Sequence, residues 1–175
     1  MRPNERVSGL MAATMVCILV AMNALADEAP KVTGTFTSSG EPVEISHVYA
    51  YRNAEGFYDP ADPSWTVILA AGEIEPQNLG RPYQDFPFIK LRVTKTSEFE
   101  EQPTLRVYSQ DVQLPGKTSG ISGGDYPEIE VQSTGPDVFS ARVWLPEPFE
   151  FFTNSWQYDL SFSAPLSENP EGGQD

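Results

Sequence analysis

Residues 156–164 alternate without a fault: Trp156, Tyr158, Leu160, Phe162 and Ala164 fall on one side, Gln157, Asp159, Ser161 and Ser163 on the other. A repeat of two belongs to a β-strand, whose successive side chains point to opposite faces; an α-helix would scatter these apolar residues around its axis. Similar runs recur along the chain, interrupted by 16 prolines and 13 glycines in 175 residues. Strands are expected at 31–37, 43–52, 65–71, 88–97, 104–113, 128–134, 138–145 and 156–164. No segment shows an amphipathic helical repeat, although 73–79 has room for a single helical turn. Eight strands with turns roughly every 10 residues predict an all-β domain, an antiparallel immunoglobulin-like β-sandwich, with a small β-barrel as the alternative.

The alternation also assigns faces. Residues 65–71 form a nearly continuous apolar run, expected in a central strand buried on both sides. In 43–52, Val43, Ile45, His47, Tyr49 and Tyr51 share a face. In 88–97, Lys90, Arg92 and Thr94 oppose Ile89, Leu91 and Val93, which predicts a cationic solvent face. In 138–145, Trp144 joins Ser140 and Arg142, opposite Phe139, Ala141, Val143 and Leu145. Segments 72–87, 115–127 and 146–155 read as connections, the second made pliant by Gly116, Gly120, Gly123 and Gly124.

The start of the chain reads as a secretion signal: Arg2 and Arg6, an apolar run over 10–21, then Ala24-Leu25-Ala26. Cleavage after Ala26 would leave one domain over 27–166 and an acidic tail, 167–175, expected to be disordered. The apolar run is shorter than the ~20 residues of a spanning helix and is followed by Asn23, so no membrane insertion is expected once the signal is gone. Cys17, the sole cysteine, leaves with the signal; Thr14-Met15-Val16 before it lack the small residue of a lipidation site. A mature chain without disulfides or an Asn-x-Ser/Thr acceptor points to a bacterial envelope, periplasmic or alternatively extracellular. Of 11 basic and 25 acidic residues, Arg2, Arg6 and Glu5 fall in the signal, leaving 9 and 24 and a formal charge of about −15. That charge argues against nucleic acid and anionic membranes as partners and keeps a secreted domain soluble.

Few side chains remain for chemistry. His47 is the only histidine; alone it lacks the companions of a zinc or copper site, and a structural place in its strand is the simpler reading. There is no Gly-x-Ser-x-Gly elbow, and Gly120-Ile121-Ser122-Gly123-Gly124 lacks the lysine and helix of a phosphate loop. Asp59, Asp62, Asp85 and Asp125 keep a carboxylate hydrolase open as an alternative, and Asp59 and Asp62 are the candidates for a metal. No cofactor is expected. Aromatic residues are the stronger lead: Trp65, Trp144 and Trp156, and Phe149, Phe151 and Phe152 beside Glu147 and Glu150. Exposed on a sheet, Trp144 and the phenylalanines would suit a carbohydrate-binding module.

Three elements carry a resemblance. They are Gly34-Thr35-Phe36 through Gly40-Glu41-Pro42-Val43; His47-Val48-Tyr49-Ala50-Tyr51 followed by Thr66-Val67-Ile68-Leu69; and Tyr158-Asp159-Leu160-Ser161-Phe162-Ser163-Ala164-Pro165. Together they resemble a family of uncharacterised secreted β-rich bacterial proteins, least supported over 72–127, and the resemblance implies no activity. The sequence therefore predicts a non-enzymatic envelope protein that binds an envelope protein or ligand, or has a structural role. Its candidate ligand-binding residues are Trp144, Phe149, Phe151, Phe152 and His47.

Overall fold

The computed structural model describes residues 29–55, 61–80, 84–96, 104–117, 121–122, 127–167 and 169–170. The N-terminal segment read as a secretion signal, Asp59 and Asp125 lie outside the described residues. The protein is all-β, a curled, open, mixed sheet in the shape of a half-barrel. Its strands are β1 (Lys31–Ser38), β2 (Glu41–Pro42), β3 (His47–Arg52), β4 (Ser64–Ala70), β5 (Phe88–Lys95), β6 (Leu105–Gln113), β7 (Ile121–Ser122), β8 (Glu128–Thr134), β9 (Val138–Trp144), β10 (Phe149–Phe151) and β11 (Asn154–Ser167). The helical turn expected within 73–79 is a short 3-10 turn, Pro76–Asn78.

β11, the strand with the clean alternation, is the hub. Along one edge it holds β1 (Phe36 opposite Tyr158) and along the other β10 and β9 (Leu160 opposite Val143), all antiparallel. β8 continues beyond β9, and β2 beyond β1. At its far end β11 turns to a second limb: Leu166 and Ser167 pair with Ala50 and Tyr51 of β3 in parallel, and β4, β5, β6 and β7 follow in order. The purely antiparallel expectation is thus corrected at this junction, where one long strand serves both limbs. Ser167, assigned from sequence to a disordered tail, belongs to β11 and hydrogen-bonds through Oγ to the Ala50 carbonyl.

The main core lies between the limbs. Trp65 of β4 packs against Phe139 of β9 with ring centroids 5.5 Å apart, and Phe139 stacks on Phe162 at 5.9 Å. Deep within, the Tyr158 hydroxyl of β11 donates to Gln110 Oε1 of β6 over 2.9 Å. Burial pushes the Tyr158 phenol up, so it stays a donor. A buried pair of this kind matters most when broken, since an orphaned polar group costs about 1–3 kcal/mol.

A second, smaller core explains where face assignment from sequence failed. Residues 43–46 are not strand: Val43 N–H donates to Phe36 O, Ser46 N–H to Ala70 O, and here the chain crosses between limbs. The expected 43–52 strand is therefore broken. Val43 and Ile45 pack on the main core with Val48 and Ala50, whereas Tyr51 turns to the opposite face with Ile68, Ala70 and Phe88. That face is roofed by the 72–87 connection, which inserts Ile74, Leu79 and Phe86. Tyr49 Oη accepts the Ile74 N–H at 2.7 Å, and buried Gln113 accepts from Gln84 N–H and donates to Phe86 O. With both sides covered, β4 is buried along its whole length, as its apolar run predicts. The expected cationic solvent face on β5 does not form: Lys90 and Thr94 are buried and Arg92 is half-buried.

Candidate functional site

Among the described residues no second core covers the outer face of the β8–β9–β11–β1 limb. Register places Glu128, Trp144, Asp159 and Thr35 in one row across four strands, and Glu130, Arg142, Ser161 and Thr33 in the next. Trp144 is half-buried on this face, opposite the core-facing residues of β9, as the alternation predicts. Arg142 sits two residues earlier on the same face, with its guanidinium 4.8 Å from the Trp144 ring centroid. The same guanidinium forks onto Asp159, Nε to Oδ1 at 2.8 Å and Nη2 to Oδ2 at 2.6 Å. That hydrogen-bonded contact holds the Asp159 carboxyl below the usual carboxylate range and raises Arg142 further. Both side chains are nearly half exposed, so the pair orients its members more than it stabilises the fold.

Beside this pair lies a surface hollow of about 340 Å³. Trp144 and Pro146 border it on the β9 side; Gln157, Asp159, Thr35 and Thr37 carry it across β11 to β1. A second hollow of about 270 Å³ lies on the other limb, lined by Asn53, Glu55, Arg92, Tyr108 and Asn169 among others.

The phenylalanines expected to extend an aromatic row with Trp144 are elsewhere. Phe149 opposes Trp156 across the β10–β11 pair and packs on it at 4.6 Å, on the core side. Phe151 lies two residues further on the same face, beyond the end of the core, and is 42% exposed. Phe152 and Thr153 make the two-residue turn into β11; Phe152 is 91% exposed and has φ 54°. The two rings meet edge to face at 4.7 Å. Sequence reasoning treated this stretch as loop, because the three residues of β10 are too few to show a period.

His47 opens β3, half-buried, its Nδ1 2.9 Å from Ser46 Oγ. It is brought near neither Trp144 nor the phenylalanines by any strand pairing. Asp62 is bound to Lys95 at 3.0 Å, and Asp85 is exposed. Among the described residues no three His, Cys, Asp or Glu side chains gather as a metal would require. Asp159 and its bidentate arginine were missed from sequence; only the β9–β11 register, a tertiary fact, brings them together. Compared with protein-family models, curated proteins and solved structures, the chain matches none. No helix among the described residues is long and apolar enough to cross a membrane.

Proposed function

We propose that this chain is a non-catalytic binding module of the bacterial envelope, exported by its N-terminal signal to the periplasm or beyond. In this reading its two limbs amount to an open β-sandwich, and it belongs with the secreted β-rich proteins it resembles. The hairpin tip carries the reading. A bulky residue with positive φ is an outlier, and the first position of a two-residue hairpin turn favours glycine or asparagine. Phe152 occupies that position with 91% of its surface exposed. Strain together with an unburied aromatic ring is the mark of a side chain held out for a partner. Exposed Glu147 and Glu150 precede it in the chain, which fits an apolar recess with a basic rim on an envelope protein. Asp159 does not suit the general acid of the carboxylate-hydrolase alternative, because Arg142 lowers its pKa whereas a general acid needs a raised one.

A photo-crosslinking residue at position 152 tests this, with one at exposed Glu41 as control, in the envelope fraction of the source cells. A discrete adduct from 152 that is absent from 41 supports the proposal. No adduct, or the same adducts from both positions, refutes it.

A further inference from the structure

We propose that the hollow beside Trp144 is a binding site for a single neutral hexopyranose ring. A pyranose has an apolar C–H face and a rim of hydroxyls, so it needs one flat aromatic wall and several short polar groups of both hydrogen-bonding senses. The hollow supplies both. Trp144 stands at one border, its ring held by Arg142, which does not itself line the hollow. Across the floor, Asp159 offers acceptor oxygens, Gln157 an amide with both a donor and an acceptor, and Thr35 and Thr37 hydroxyls that do either. Arg142 fixes the Asp159 carboxylate and occupies one lone pair on each oxygen, leaving others directed elsewhere. The site is thus ordered before any ligand arrives, which lowers the entropic cost of binding.

The same features limit the ligand. The cation beside the hollow, Arg142, is paired with Asp159; Lys31 lies two rows away from Thr35 along β1, while Glu128 stands directly opposite Trp144 on β8 and the chain is strongly acidic. A uronic or sialic acid would meet repulsion here; a neutral sugar would not. Among the described residues Trp144 is the aromatic side chain of this face and Phe149 is turned to the core, so none of them offers a second ring to stack the next residue of a glycan. About 340 Å³ is at the small end of ligand sites, suited to one ring. This inference does not depend on the Phe152 hairpin, which points beyond the core end of the sheet.

The test is titration of the ¹⁵N-labelled mature domain with the methyl glycosides of glucose, galactose and mannose, and with glucuronic acid, into the millimolar range. Trp65 and Trp156 are buried, so a ligand on the outer face reaches only the Trp144 indole. At least one neutral glycoside should shift the Trp144 indole and Gln157 amide signals saturably. Trp144→Ala and, independently, Gln157→Ala should weaken binding about tenfold or more, and Phe152→Ser should leave it unchanged. No saturable shift with any neutral glycoside overturns the proposal. So does equal binding by glucuronic acid, or a Gln157→Ala protein that still shows a native spectrum and binds as tightly as the parent.

Discussion

Gly34 and Gly40 form a natural experiment on how tightly β1 is pressed onto β11. Both have positive φ, 126° and 83°, where a side chain strains the backbone. At Gly40, a Cβ would meet nothing within 4 Å. At Gly34, it would overlap the Asp159 carbonyl oxygen and stand 3.0 Å from Leu160 Cα, both backbone atoms that no rotamer can move. Gly40→Ala therefore carries only conformational strain, about 1–2 kcal/mol. Gly34→Ala carries at least that strain, its φ lying further from the left-handed region, and must also lift β1 from β11, loosening ladder hydrogen bonds worth about 0.5–1.5 kcal/mol each. A total near 3–4 kcal/mol is expected, a large part of the ~5–15 kcal/mol that holds a domain of ordinary stability. With a urea m-value of about 2 kcal/mol/M, the midpoint should fall by roughly 0.5–1 M for Gly40→Ala and roughly 1.5–2 M for Gly34→Ala. Equilibrium urea unfolding followed by Trp fluorescence measures both. Equal midpoints for the two variants would show that the close β1–β11 approach is not what requires glycine at 34.

Two further predictions rest on single side chains. Thr94 is fully buried and its Oγ1 has no hydrogen-bond partner, so the nearly isosteric Thr94→Val removes a desolvated hydroxyl and should stabilise the domain by about 1 kcal/mol; a lower urea midpoint would refute this. Asp159 titrates below the ordinary aspartate value because of Arg142, so what its charge contributes is present above the unfolded-state pKa of about 3.9 and is lost as pH falls through the lower folded value. A carboxyl NMR titration should give a midpoint that rises in Arg142→Leu, and an unchanged midpoint would remove Arg142 as the cause.

Strands whose one face meets the core were legible in the sequence, because a half-buried sheet forces alternation: β9 and β11 show their inward residues in the expected places. In β3 and β5 the strands themselves were legible, with Ile89, Leu91 and Val93 inward as expected, but their second face was not, because the 72–87 connection packs Ile74, Leu79 and Phe86 against that side of the sheet. A segment rich in proline with no period gives no hint that Ile74, Leu79 and Phe86 will be inserted beneath it, nor that Lys90 will be enclosed. The parallel step at Leu166 and Ser167 joins residues more than a hundred positions apart and has no local signature. At the site, Trp144 was legible from its place in the alternation. The Arg142–Asp159 fork was not, because it depends on which residue of β11 lies beside which residue of β9. Phe152 was visible as an aromatic, but its backbone strain was not.

The strand that joins the two limbs of this sheet is also the last of the described strands in chain order. β1, β3, β9 and β10 all take hydrogen bonds from residues 154–167, and Phe36 lies 122 positions from its partner Tyr158. Before the ribosome reaches that stretch, β1 and β9 each have a vacant edge and the Trp65–Phe139–Phe162 stack is incomplete. Contacts so distant in sequence make for slow folding, and exposed strand edges invite pairing with other chains. The limb of β3 to β7 pairs in chain order around a small core of its own that holds no residue of β11, so it can assemble first, whereas β1 and β9 must wait with open edges for residues 154–167 to join them.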